Sequence, residues 1–377
     1  QTPPADLCFH QSLPHAGDLQ MKIVDIRTDT VSIPLVSEFK TALRRVSSVE
    51  NVLVTIVTDS EQLGFGSAAP ATVITGETVG SILGAVEVIG DSITGMTIKN
   101  HEAIFQRLNH CIVGNTSAKA AVDMAVYDLL AKSLQTPLYR LLGGLSRTVE
   151  TDITISLDSP ETMVQESKER TAEGFSILKV KVGSDPDLDI ERLTAIHRAV
   201  GNRVRIKIDA NQGWSAKEAI TISNRLAQKE IPVELIEQPV RAADYEGLQM
   251  VRNASPFPVY ADESIFSPED ALRLITMGAV DGINIKLMKC GGIYNGLKIA
   301  AIAESAGIPC MIGSMMECHV SVSAAAHFAA SKAIIRSYDL DAPLFCSSNP
   351  AAGGMTYQGP DIHLPDAPGL GIEKILV

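Results

Sequence analysis

The feature that most limits what this chain can fold into is a rhythm. Short β-rich runs recur at 151–156, 177–182, 204–209, 233–237, 257–261, 281–286, 308–313 and 334–339, with stretches of helical spacing such as SPETMVQESKERTAEG and SPEDALRLITMG between them. Eight strand–helix units in regular alternation predict an α/β fold built as a closed parallel (β/α)8-type barrel. The alternative is an open doubly wound sheet, which usually has fewer strands and often a glycine-rich phosphate turn. No GxGxxG follows a strand here.

The barrel accounts for 146–345. Residues 21–145 read as a separate α+β capping domain. The alternating runs MKIVDIRTDTVSIPL and ENVLVTIVTDSEQLGFGSA predict strands joined by a loop around SEFKTALRRVSS. The period turns helical from about 76 to 141, where SAKAAVDMAVYDLLAKSLQ is the clearest helix and Ser117 its expected N-cap. The tail, 346–377, has many Gly and Pro and is expected to pack back on the capping domain. Residues 1–20 lack periodicity and the basic and apolar regions of a signal peptide, so they are expected to be an appendage outside the fold of a cytoplasmic protein. With 377 residues, 45% of them hydrophobic, the chain can bury a large core. No apolar run approaches the ~18 residues needed to cross a bilayer. A net charge of −12 argues against nucleic acid or an anionic membrane as partner. Six cysteines (Cys8, Cys111, Cys290, Cys310, Cys318 and Cys346) form no CxxC pair and are expected to be free thiols.

In a parallel barrel the chemistry gathers at the C-terminal ends of the strands. The second run, ILKVKVG, ends in Lys179 and Lys181, which strand alternation points to the same face. The third ends in Asp209, with Asn211 two residues on; the fourth in Glu237; the fifth in Asp262, followed by Glu263; the sixth in Lys286. The seventh delivers Ser314 and Glu317, and the eighth Asp339 and Asp341. One such acid alone could simply cap the next helix, and one lysine could snorkel to water. Three consecutive strands ending in carboxylates, flanked by lysines, is an order that capping does not predict.

Three converging carboxylates form a hard-oxygen site suited to Mg²⁺, or to Mn²⁺ as the other hard cation of this type. No Cys/His cluster has zinc spacing. Lys286 is expected to face Lys181 across the barrel mouth with the metal between them. A nearby cation and desolvation both lower a lysine pKa, so Lys179 is expected to keep Lys181 neutral enough to act as a base. A base beside a divalent cation suits removal of a proton next to a carboxylate, with the metal stabilising the enediolate. Two lysines on opposite faces allow removal from one face and return to the other, which inverts a stereocentre.

KVKVG, DANQGW, EQP, ADES and NIKLMKCGG, in this order and spacing, resemble the enolase superfamily in its muconate-lactonising branch, over residues 21–377. That superfamily's sites pair a lysine or histidine base with Mg²⁺. The resemblance implies Asp209, Glu237 and Asp262 as metal ligands and Lys181 and Lys286 as the two bases. Within the branch the likeness is greatest to dipeptide epimerases. DLDAP resembles their Asp-x-Asp, so Asp339 and Asp341 are implied to bind the free α-ammonium of a dipeptide. FKTALRR resembles the capping-domain loop that reads the second side chain, with Arg44 matched to the arginine that pairs with a glutamate carboxylate; Arg45 beside it leaves open which of the two points inward. Thr154, Ser314 and Met316 are expected in the pocket wall, and Asn211, Glu263 and Glu317 behind it, orienting ligands or tuning a lysine. The implied reaction interconverts L-Ala-L-Glu and L-Ala-D-Glu, in bacteria for murein peptide salvage, by a protein that assembles as a homo-oligomer. N-acylamino acid racemase, o-succinylbenzoate synthase and muconate cycloisomerase chemistries share the metal and lysines. Their substrates lack the ammonium that Asp339 and Asp341 would bind. A Schiff-base lysine aldolase would leave the three carboxylates idle.

Overall fold

The computed structural model describes residues 21–377; the expectations for residues 1–20, including Cys8, lie outside the described residues. Three antiparallel strands open the chain in the order β1 (Ile23–Lys40), β2 (Arg45–Thr58), β3 (Leu63–Ala68). β1 runs on through Phe39 and Lys40 after a register shift between Pro34 and Phe39. The expected loop around SEFKTALRRVSS is therefore only the tip Thr41–Arg44. The flanking residues keep pairing because apolar Phe39 finds a buried site.

The helix Thr116–Ser133 lies against β3. It can approach so closely because β3 carries glycines: a Cβ on Gly66 would stand 1.9 Å from the Ala121 carbonyl oxygen. Ser117 does not cap this helix. Its own N–H, and that of Ala118, donate to the carboxylate of Glu77 at 2.9 and 3.2 Å. A distant buried acid thus satisfies the orphan donors that local spacing assigned to Ser117.

β4 (Thr148–Glu150) precedes eight parallel strands: β5 (Ile153–Ile155), β6 (Ile177–Lys181), β7 (Arg205–Asp209), β8 (Val233–Glu237), β9 (Val259–Ala261), β10 (Gly282–Lys286), β11 (Cys310–Gly313) and β12 (Ile335–Asp339). They pair in strict sequence order, a nearly closed barrel, each within two residues of the run that predicted it. The helices after five of these strands are capped by Ser159, Asp185, Ser215, Asp244 and Ser267. The capping role is filled, and Asp209, Glu237 and Asp262 are not used for it.

The tail forms β13 (Ala351–Gly353), β14 (Thr356–Gln358), β15 (Asp361–His363) and β16 (Ile372–Ile375). β15 pairs with β4, and Leu370 N–H donates to Asp128 of the helix Thr116–Ser133, so the tail returns to the first domain as well as to the barrel entry. Cys111, Cys290, Cys310, Cys318 and Cys346 are free thiols. Among the described residues no helix is long and apolar enough to cross a membrane.

Candidate active site

The strand ends converge on one pocket. Its walls include Lys181, Asp262, Lys286, Ser314, Met316, Asp339, Asp341, Thr154, Asn211 and Glu263, and its roof comes from the first domain through Phe39, Thr41, Leu43, Arg44, Val73 and Ile74. Arg44 lines this pocket, whereas Arg45 lines only the outer groove beyond it. The roof rests on the barrel: Leu157 N–H donates to the Lys40 carbonyl at 3.0 Å, and Lys40 Nζ to Asp158 at 2.6 Å.

Asp209 and Glu237 are fully buried and lie beneath the wall residues, behind the lysines. Lys181 Nζ is 2.6 Å from Asp209 Oδ2 and 6.0 Å from the centre of the Phe39 ring. Lys286 Nζ is 2.7 Å from Asp262 Oδ2. Lys179, with no exposed surface, touches Asp209, Glu237 and Asp339 at 3.1, 2.8 and 2.6 Å. β6 does point Lys179 and Lys181 to the same interior face, as alternation requires.

The acids dominate the electrostatics at Lys179 and Lys286. Burial would depress Lys179 and Lys286, but Asp339, Glu237 and Asp209 outweigh it at Lys179, and Asp262 does so at Lys286. Both pKa values are raised. Lowered values for lysines in this site presuppose that the carboxylates are answered by another cation. Burial also opposes ionisation of the acids. Lys181, Lys179 and Lys286 overcome it at Asp209, which falls to about 2, and Lys286 with Lys289 overcomes it at Asp262. At Glu237 burial prevails, reinforced by Asp209, and the carboxyl rises to about 7. Glu263 rises to about 8 by burial and the neighbouring Asp262 charge, and Glu317 to about 7 by burial.

Asn211 Nδ2 donates to Glu263 at 3.2 Å and sits in left-handed backbone at φ 42°, as do Gln212 and Gln238 at 69° and 34°. Strain of this kind clusters at functional sites. Glu317 accepts the Met315 N–H at 2.8 Å and does not line the pocket. Ser314 Oγ reaches the Asp339 carbonyl at 3.4 Å.

Asp339, Asp341 and a third acid, Asp152, bring oxygens within 4.8 Å of one another. Lys207 holds Asp152 at 2.8 Å, Lys179 holds Asp339, and the Thr154 N–H donates to Asp341 at 2.6 Å. Burial and Asp339 raise Asp341 to about 6. The trio Asp209, Glu237 and Asp262 also offers carboxylate oxygens to a divalent cation, from consecutive strand ends, with Glu237 Oε2 and Asp262 Oδ1 buried without a hydrogen bond, as Asp152 Oδ1 is in the other cluster. Asp152, Lys207, Lys289 and Asn284 went unnoticed in the sequence. Lys207 lies two residues before the motif DANQGW and Lys289 within NIKLMKCGG, where alternation at Lys207 and proximity to Lys286 at Lys289 were the available signals.

An α+β roof on a (β/α)8-type barrel, with acids on three consecutive strand ends between lysines, defines the enolase-type architecture. The model for the mandelate racemase / muconate lactonizing enzyme N-terminal domain matches residues 23–143, and that for the enolase C-terminal domain-like fold matches 162–374; the chain belongs to this family. It is 52% identical over 356 residues to the L-Ala-D/L-Glu epimerase of Clostridium acetobutylicum, covering 94% of this chain and 99% of that one. The substrate-liganded L-Ala-D/L-Glu epimerase from Bacillus subtilis superposes with a TM-score of 0.94 at 44% identity, covering 95% of this chain and all of that one. A dipeptide epimerase from Enterococcus faecalis, complexed with Mg and L-Leu-L-Tyr, superposes at 0.92 with 42% identity, covering 94% and 100%.

Proposed function

We propose that the chain is a metal-dependent dipeptide epimerase that inverts the α-carbon of the C-terminal residue, with L-Ala-L-Glu and L-Ala-D-Glu as its pair of substrates. The observation that carries this reading is the placement of three kinds of group around one pocket: Lys181 and Lys286 from β6 and β10, Asp339 and Asp341 at the end of β12, and Arg44 from the roof.

The α-ammonium of the dipeptide docks on Asp339 and Asp341, and the glutamate side-chain carboxylate on Arg44. The glutamate α-carbon then lies between Lys181 Nζ and Lys286 Nζ. One lysine, as neutral amine, takes the α-proton, and the C–H electron pair moves into the adjoining carboxylate. The other, as ammonium, returns a proton to the opposite face, and the pair flows back to carbon. A divalent cation held by Asp209, Glu237 and Asp262 would supply the positive charge that carboxylate needs as its proton leaves, and would take over from Lys286 the charge of Asp262. We take Mg²⁺ as the ion, Mn²⁺ as its substitute, and murein-derived dipeptides as the source of substrate. The likeness to bacterial epimerases supports the last point.

The test is proton NMR in D₂O with Mg²⁺ and, separately, L-Ala-L-Glu, L-Ala-L-Asp, a hydrophobic dipeptide and N-succinyl-L-phenylalanine. Loss of the α-proton signal and appearance of the second diastereomer for Ala-Glu alone, abolished by EDTA, is the expected result. Exchange of the N-succinyl compound instead would overturn the ammonium assignment. No exchange with any of them would overturn the function.

A further inference from the structure

The three carboxylates are tethered alike. Each has one oxygen engaged by a group behind it and the other turned toward the lysines. Asp209 Oδ1 accepts the Asn211 N–H at 2.9 Å, while Oδ2 meets Lys181 and Lys179. Glu237 Oε1 accepts from Asn284 Nδ2 at 2.8 Å, while Oε2 accepts no hydrogen bond and lies 2.8 Å from Lys179. Asp262 Oδ1 is ion-paired with Lys289, while Oδ2 meets Lys286.

Lys289 is the centre of this arrangement. It sits on the turn Leu287–Cys290 after β10 and is 1% exposed. Beside its ion pair with Asp262 Oδ1, which accepts no hydrogen bond, its Nζ donates to the main-chain carbonyls of Asp262 and, at 3.3 Å, of Asn284. The same nitrogen therefore grips both ends of Asp262 and the backbone of the residue that holds Glu237. Asp262 cannot rotate to show both oxygens to the pocket without abandoning Lys289.

We infer that Lys289 is a positioning residue for metal selectivity: with Asn284 it confines the site to one oxygen per carboxylate and so favours Mg²⁺ over Ca²⁺. The inference rests on reading Asp209, Glu237 and Asp262 as the cation's ligands. Mg²⁺ demands near-ideal octahedral geometry, and three single oxygens leave three positions for substrate and water. Ca²⁺ takes six to eight ligands and accepts carboxylates through both oxygens. A site that withholds its second oxygens penalises the larger ion.

The experiment is calorimetric titration of the EDTA-stripped, full-length protein with MgCl₂ and, separately, CaCl₂, for the wild type, Lys289→Met, Lys289→Arg and Asn284→Ala. Removing a positive charge should strengthen both divalent ions alike, so the ratio of their affinities isolates the geometry. Loss of such a supporting partner typically changes metal affinity by about 10- to 100-fold, so the Mg²⁺/Ca²⁺ ratio should fall by roughly tenfold or more in Lys289→Met. It should fall in the same direction in Asn284→Ala and be restored by Lys289→Arg. An unchanged ratio, with both ions still bound, would overturn the inference. Wild-type protein that binds neither ion would instead overturn the ligand assignment beneath it. Crystals of the wild type with Mg²⁺ give a check that needs no variant to fold. Asp262 Oδ1 should remain on Lys289, and chelation through both oxygens would refute the idea.

Discussion

Replacing Arg44 by Met should remove the reading of the glutamate side chain and little else. Arg44 is part-buried in the roof, and its pKa is lowered by burial alone, with no nearby carboxylate of the described residues to counter that cost. A substrate carboxylate would therefore meet a guanidinium already stripped of part of its water. Charge-assisted hydrogen bonds are worth about 1.5–3 kcal/mol each. A forked pair that still loses something to solvent should contribute about 2–4 kcal/mol, or roughly 30- to 1,000-fold in kcat/KM. The assay is the initial rate of epimerisation of L-Ala-L-Glu and of L-Ala-L-Gln, its uncharged isostere. Arg44→Met should lower kcat/KM for the first by that factor and leave the second within about threefold. Lys in place of Arg keeps the charge without the fork and should fall between. Arg45→Met, altering only the outer groove, should change neither substrate much. Equal losses for Glu and Gln in Arg44→Met would refute the reasoning, because the arginine would then be shaping the pocket rather than reading charge.

The two lysines should separate by stereochemistry: Lys181→Ala and Lys286→Ala should each stop deuterium exchange from one epimer while the other still exchanges, and a variant that epimerises freely would sink the two-base scheme. Asp341, raised to about 6 by burial and by Asp339, binds an ammonium only when ionised, so KM for the dipeptide should climb as pH falls below about 6. The linkage has the opposite sense for folding. A carboxyl raised in the native state stabilises it below its ordinary value of about 3.9, and that contribution is lost as pH rises through about 6. Asp341→Asn should therefore flatten the change of Tm across that interval in thermal melts. Glu77→Ala leaves two helix N–H groups without their acceptor and should cost about 1–2 kcal/mol, seen as a Tm lower by a few degrees with the metal affinity unchanged.

The barrel was legible because its signal is periodic: apolar strands, polar turns and helical spacing recur eight times, and an error in one unit is corrected by its neighbours. The strand-end residues were legible for the same reason, since the fold sends every strand end to one mouth. The tether behind them was not. Lys289 and Asn284 act through partners on other strands, and nothing local distinguishes a lysine that grips Asp262 from one that reaches solvent. Glu77 escaped notice likewise, because its helix begins forty residues later and Ser117 satisfied the local rule. The charge balance at Lys179 was not legible for a different reason: which charge dominates depends on its contacts with three acids, and a sequence states which charges exist without stating their distances.

The pairing of β1 with β2 runs from Ile23 and Thr58 out to Lys40 and Arg45, and the four residues at its end carry Arg44 over the barrel mouth. That hairpin works as a ruler. Each added pair of residues would push its tip outward by about 3.4 Å, and each odd step would turn the neighbouring side chains to the opposite face. A displacement of that size exceeds what a hydrogen-bonded ion pair tolerates. Two chains with identical barrels could thus prefer different side chains through strand length alone, with the irregularity between Pro34 and Phe39 as the place where the measure is adjusted.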